Sequence, residues 1–180
     1  SDPQVSGPMN APLSVTASGI YTAVKMVVDP KGMAPPNSGA WRTVEVLAPP
    51  GSVVNAVFPA PVVYANHEIS ARVCDMAFGA LAEFMPDRVA ACSQGTSAIV
   101  TFGGKDPRNG NRYVSYETLK GGYGARPNKD GINAIATTIA NTMNTPVEVL
   151  EMSFPVRVEY YELVPDSGGG ASVKTIAVQA

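Results

Sequence analysis

The stretch Asn66–Leu119, NHEISARVCDMAFGALAEFMPDRVAACSQGTSAIVTFGGKDPRNGNRYVSYETL, holds both periodicities of this chain. Its first part is helical. Ile69, Val73, Met76, Ala77, Ala80, Leu81 and Phe84 share one face of residues 67–85, and Glu68, Arg72, Asp75 and Glu83 lie largely off it. Asn66 stands where a cap is wanted, and Pro86 follows the end. Its last part reads as a β-hairpin. Ser97 to Phe102 is a strand, Gly103-Gly104 breaks it, and Asp106-Pro107-Arg108-Asn109-Gly110-Asn111 is a dense turn signal before the strand Arg112 to Leu119.

Outward from there, Ile20, Tyr21, Val24, Val27 and Val28 mark a helical stripe within Leu13 to Val28, stopped by Asp29-Pro30-Lys31-Gly32. Residues 29–41 read as a loop. Thr43 to Leu47 reads as a short strand ended by Pro49-Pro50-Gly51. Val53 to Val63, broken by Pro59 and Pro61, reads as extended backbone. Ile132 to Met143 points two ways. Ile132, Ile135, Ala136, Ile139 and Met143 fit a helix that Asp130 would cap, but threonines and β-branched residues weigh against it. Pro155 to Val164 alternates as a strand, and Val173 to Val178 is a last short one. Residues 1–12 and 165–172 read as irregular. The fold expected is α+β, with a mixed or antiparallel sheet and two or three packed helices.

A length of 180 residues suits a single domain, and 45% apolar residues suffice for a core. Only 16% are charged, against about 25% in an average domain, while 17 glycines and 16 prolines make the chain rich in turns. That composition excludes a coiled coil and a helical repeat array. With 13 basic and 15 acidic residues, net charge is -2, so nucleic acid is not an expected partner. The low charge also fits a chain whose surface is partly buried against something else. No run of about 20 apolar residues is present, so no transmembrane helix is expected. Ser1-Asp2-Pro3-Gln4 lacks the features of a secretory signal and does not begin with Met. The chain is therefore expected to start after processing, at a cloning boundary or inside a longer protein. Cys74 and Cys92, both in apolar surroundings, read as buried free thiols in a reduced cytoplasm.

His67 is the only histidine, so a His-rich metal site cannot be built here, and a capping or packing role is the reading for it. Gly121-Gly122-Tyr123-Gly124-Ala125-Arg126 is the densest glycine cluster with charge beside it. Glycines let backbone N–H groups approach a ligand and form an anion nest, with Arg126 and Lys129 supplying positive charge and Asp130 an opposing carboxylate. The cluster matches neither a Walker A loop nor a dinucleotide fingerprint. A tight turn with a surface Arg is the plainer reading. Asn141 and Asn144 can orient a polar ligand, or simply initiate the turn at Asn144-Thr145-Pro146. Glu148 and Glu151 share a face if helical, as an acid–base pair or as solvated carboxylates. Ser167 has no nucleophile elbow around it, and no catalytic residue is assigned.

Five segments in order resemble the hydantoinase B/oxoprolinase family: Ser6-Gly7-Pro8-Met9-Asn10, Ala48-Pro49-Pro50-Gly51-Ser52, Gly121 to Arg126 with Lys129-Asp130-Gly131, Asn141 to Glu151, and Pro165-Asp166-Ser167-Gly168-Gly169. The resemblance runs from about residue 3 to 169. It implies part of a large cytoplasmic subunit that works, as an oligomer, with a hydantoinase A-type subunit using ATP and Mg. The reaction implied is ATP-dependent opening of small cyclic amides such as hydantoins, 5-oxoproline or lactams. Carboxylation of acetone or acetophenone by a related assembly is an alternative. Any metal site of the full-length subunit would lie in sequence preceding this stretch, with no cofactor bound here.

Two departures stand out. The family's long N-terminal portion is absent, and Gly170-Ala171-Ser172-Val173-Lys174-Thr175 stands where an Arg-Gly-Gly-rich segment usually follows. The chain therefore reads as a fragment, inactive by itself. The resemblance assigns Gly121, Gly122, Tyr123, Gly124, Arg126, Lys129, Asp130, Asn141 and Asn144 to binding of an anionic or phosphorylated intermediate. Two other readings remain: a structural or assembly module, and a stand-alone binder of a small anion.

Overall fold

Two helices meet through a glycine. Helix α1 spans Leu13–Val28 and α2 spans Ser70–Ala82 in the computed structural model of the chain, which describes residues 1–136, 138–164 and the backbone of 174–179. A Cβ on Gly19 would stand 3.0 Å from the Ser70 carbonyl oxygen, so only glycine lets the backbones come this near without a shift. Below that contact lies the core of Ala23, Val27, Cys74 and Phe78, with Ala77, Leu81, Val89 and Ile139 against it. Burying such side chains contributes roughly 1.5–3 kcal/mol for each large one.

The buried face of α2 differs from the face its apolar residues mark. Ser70, Ala71, Val73, Cys74, Asp75 and Phe78 are buried, whereas Met76 and Phe84 are 71% and 79% exposed. Two tertiary partners turn the helix. Small residues are needed opposite Gly19, and Asp75 is satisfied by Ser93, whose N–H and hydroxyl donate to its carboxylate at 3.1 and 2.9 Å. The helix entrance is also corrected. A π-helical turn, Ala65–Ile69, precedes α2, with no side-chain cap from Asn66; the Asn66 carbonyl instead accepts from the Ser70 hydroxyl at 2.9 Å.

Among the described residues, three two-stranded antiparallel sheets follow. Strands β1 (Ile99–Lys105) and β2 (Arg112–Thr118) pair from Ile99 opposite Thr118 to Lys105 opposite Arg112. The strand runs through Gly103-Gly104, whose backbones pair with Val114 and Tyr113, so the expected break is absent. The turn is built on Asp106, whose carboxylate accepts from the backbone and guanidinium of Arg108. Arg108 then donates to the carbonyls of Glu151, Met152 and Ser153 at 3.3–3.5 Å, closing helix α3 (Val147–Ser153). Strands β3 (Gly122–Tyr123) and β4 (Ile132–Asn133) form a second hairpin, and β5 (Arg157–Leu163) pairs with β6 (Lys174–Gln179). The fold is α+β, as the mixture of periods predicts.

Other expectations need correcting. Thr43 to Leu47 is no strand: a turn closes with Val44 N–H on the Trp41 carbonyl at 3.0 Å, and Trp41 stacks on Tyr21 at 4.8 Å. Side-chain stacking here replaces strand pairing. Ile132 to Met143 is no helix: β4 and turns occupy its described residues, because β3 claims Ile132 and Asn133 first. Cys92 is exposed, not buried; Cys74 is buried, and neither is in a disulfide.

Residues 1–12 have no helix or strand, but they are pinned. Fully buried Asn10 takes the Val5 N–H on its side-chain oxygen and donates to the carbonyls of Val5, Gly7 and Pro61, each at 2.9 Å. The stretch 165–172, expected to be irregular, lies outside the described residues.

Candidate functional site

The glycine cluster is part of a packed hairpin. Gly121, Gly122 and Gly124 are buried, and none of them has the positive φ seen at Gly32, Gly51, Gly95 and Gly110. An anion nest needs successive N–H groups turned to one side by left-handed backbone, and extended backbone alternates them. The cluster instead lies along residues 91–94. Gln94 N–H donates to the Gly122 carbonyl at 3.1 Å and Ala91 N–H to the Ala125 carbonyl at 2.8 Å. The glycines therefore carry close packing, and the chemistry falls to the side chains among them.

Tyr123 and Arg126 reach a cleft of about 540 Å³. Helix α1 brings Lys25, Met26 and Asp29 to it, α2 brings Phe78, and the 3₁₀ turn Pro86–Arg88 brings Asp87 and Arg88. Lys25 and Asp29 satisfy one another at 2.6 Å, and Asp29 also accepts the N–H groups of Met33 and Ala34. Hydrogen bonding to Lys25, then to the two backbone amides, brings the Asp29 carboxyl down to about 2. Arg88 and Arg126 are exposed, with no ion pair among the described residues, and Asp87 lines the same cleft.

Burial pushes the Tyr123 phenol above its ordinary value, with Cys74 and Asp75 adding to the shift and Arg126 tempering it. The phenol is thus a proton-bearing donor at neutral pH. Thr138 Oγ1 lies close enough to temper the Tyr123 and Cys74 shifts, yet it is buried without a partner of hydrogen-bond geometry. Two arginines and a phenol line one cleft with apolar Met26, Phe78 and Ile132, a lining that suits an oxyanion carried on an apolar body.

The remaining sequence-predicted residues divide. Lys129 and Asp130 are exposed on the hairpin loop, where Lys129 exchanges backbone hydrogen bonds with Arg126 at 2.8 and 3.1 Å. Asn141 and Asn144 line a second cleft, which shares Tyr123 and Ile135 with the first. Glu148 is exposed, and Glu151 accepts the Val158 N–H at 2.8 Å, so the two are no acid–base pair. His67 packs between Tyr64 and Tyr116, with Nε2 at 3.0 Å from the Tyr116 hydroxyl.

Sequence reasoning missed Lys25, Asp29 and Arg88. The only local signal was the four-residue spacing of Lys25 and Asp29, an ordinary helix pair. Among the described residues, no three of His, Cys, Asp and Glu converge to hold a metal, and no helix is long and apolar enough to cross a membrane.

A family model described as hydantoinase B/oxoprolinase matches residues 1–172. The chain is 37% identical over 166 residues to one subunit of a putative D-/L-hydantoinase of Pseudomonas sp. strain NS671, covering 89% of this chain and 27% of that protein. The crystal structure of the ATP-dependent caprolactamase from Pseudomonas jessenii superposes with a TM-score of 0.83 at 32% identity, over 99% of this chain and 32% of that one. An acetone carboxylase structure superposes with a TM-score of 0.66 at 19% identity, over 89% of this chain and 22% of that one, a likeness of fold alone. The chain thus spans about a third or less of the length of these proteins.

Proposed function

This chain belongs to the hydantoinase B/oxoprolinase family, and from that membership we propose that it serves a hydantoinase B-type subunit in the ATP-dependent opening of cyclic amides such as hydantoins, 5-oxoproline or lactams. The partner is a hydantoinase A-type subunit that uses Mg and ATP, in a cytoplasmic oligomer. Tyr123 and Arg126 hold the anionic intermediate that the partner has activated. The observation that carries this reading is that they line one cleft together with Arg88. A phosphorylated or oxyanionic group there accepts from two guanidinium forks and a protonated phenol, and such donors stabilise developing charge. Gly121, Gly122 and Gly124 act through packing, and Lys129 and Asp130 through the loop that carries Arg126. Any metal of the full-length subunit is assigned to sequence preceding this stretch. Carboxylation draws only the fold likeness.

The test is Arg126→Ala in the full-length subunit assembled with its ATP-using partner. A loss of about 100-fold in amide-opening turnover is expected, the scale for removing one oxyanion donor. Unchanged turnover removes Arg126 from the site.

A second reading, an assembly module, is favoured by one observation. Val57 to Val63 is an uncharged run in which Phe58 is 97% exposed. Size-exclusion chromatography tests it: a clean monomer that ignores the partner subunit argues against that role.

A further inference from the structure

The second cleft, about 590 Å³, is polar in one particular way. Its polar side chains are rich in donors. Tyr123 offers a phenol that burial keeps protonated. Thr138 Oγ1 is buried with no partner of hydrogen-bond geometry among the described residues, and a buried polar group left unsatisfied gains by meeting an acceptor. Asn141 and Asn144 are exposed and each carries an amide NH₂. Lys120, only 6% exposed, also lines the cleft, and its Nζ donates to Thr118 Oγ1 at 2.9 Å.

Thr142 adds a further hydroxyl, and the apolar part of the lining is Ala134, Ile135, Ala136, Ala140 and Met143. Among the described residues that line it there is no carboxylate, so an anionic ligand meets no like charge in that lining. Donors beside an apolar wall select for a ligand with an acceptor head and a short hydrocarbon body. Inorganic phosphate has no apolar part for the wall, and an amine has no acceptor for the hydroxyls.

We propose that this cleft is a binding site for a small aliphatic carboxylate. The head accepts from Thr138 and Tyr123, Asn141 and Asn144 close over it, and the alkyl chain lies on Ile135 and Met143. The inference stands on the lining of this cleft and shares Tyr123 with the Arg126 reading, but the variants below leave Tyr123 and Arg126 untouched, so the two can fail separately.

Calorimetry of the full chain with butyrate, butyramide and phosphate tests it. Butyrate is expected to bind saturably, and butyramide about tenfold or more weaker, since hydrogen bonds to a charged group are the stronger ones. Thr138→Val and Asn144→Ala are each expected to weaken butyrate about three- to tenfold, with an unchanged circular dichroism spectrum. Phosphate is expected not to displace butyrate. Equal binding of butyrate and butyramide overturns the proposal. So does the absence of saturable heat up to about 10 mM butyrate, a concentration beyond any useful small-ligand affinity, or parent-like affinity in both Thr138→Val and Asn144→Ala.

Discussion

Gly124 lies directly on the carbonyl of Ala91. A Cβ at Gly124 would fall well inside contact distance of that oxygen and 2.7 Å from the Cys92 carbonyl oxygen. Both obstacles are backbone, so neither rotates away. The β3–β4 hairpin that carries Tyr123 and Arg126 is seated on this contact. Gly124→Ala is expected to destabilise the chain by about 1–3 kcal/mol, the scale of overpacking, as read from urea unfolding. Gly7→Ala, where a Cβ meets nothing within 4 Å, is the control. Equal midpoints for the two variants would show that residues 91–94 do not hold the hairpin.

Asn10 ties three separate carbonyls with one amide. Asn10→Ala leaves buried groups unsatisfied, at about 1–3 kcal/mol each. A loss of several kcal/mol is expected, with faster proteolysis within residues 1–12. Asn10→Asp, which keeps the shape but removes the donating NH₂, is expected to be nearly as damaging.

Arg108 joins the β1–β2 turn to the end of α3 through Asp106 and three carbonyls. Arg108→Ala is expected to lower the urea midpoint with an unchanged slope, and to speed amide exchange in residues 147–153. Exchange confined to the turn would mean the link to α3 is weak.

Acid should loosen the fold through two carboxylates. Asp29 has its value lowered from 3.8 to about 2, first by Lys25, and Arg108 lowers Asp106 in the same direction. A folded value below the unfolded one gives stability that is complete above about 4 and drains as pH falls through about 2. Unfolding free energy should therefore fall across that window, and the Asp29→Asn variant should show a shallower fall. An identical slope in that variant would remove Asp29 from the acid response.

The two thiols should react at very different rates. Burial pushes Cys74 up to about 12, with the Asp75 charge adding to the shift, whereas Cys92 is exposed. The thiolate is the reactive form. A disulfide reagent is expected to label Cys92 promptly in the folded chain and both thiols in urea. Prompt labelling of Cys74 in the folded chain would show that the α1–α2 core opens freely.

Local signals in the residues were enough for several elements. The stripe from Leu13 to Val28 and the stop at Asp29-Pro30-Lys31-Gly32 place α1 at Leu13–Val28. The turn between Asp106 and Asn111 places the β1–β2 hairpin, and alternation after Pro155 places β5. Where the expectation failed, a distant partner had overruled the pattern. Trp41 stacks on Tyr21, so Thr43 to Leu47 forms no strand, and β3 takes Ile132 from a helix that apolar spacing permits.

The site was legible only in part. Tyr123, Arg126, Asn141 and Asn144 drew notice through the glycines and turn residues around them. That Tyr123 stands at two clefts, with Arg88 at one and Lys120 at the other, has no trace in spacing. The sequence by itself determined where backbone could be helical, paired or turned, because those limits act between residues a few positions apart. It also determined the family, through motifs spread over nearly the whole length. Only the tertiary structure decided which face of α2 is buried and that the glycine cluster is a packing surface. Those outcomes depend on close approach between segments far apart in the chain, Gly19 on Ser70 and Gly124 on Ala91, and on whether a buried polar atom finds its partner there.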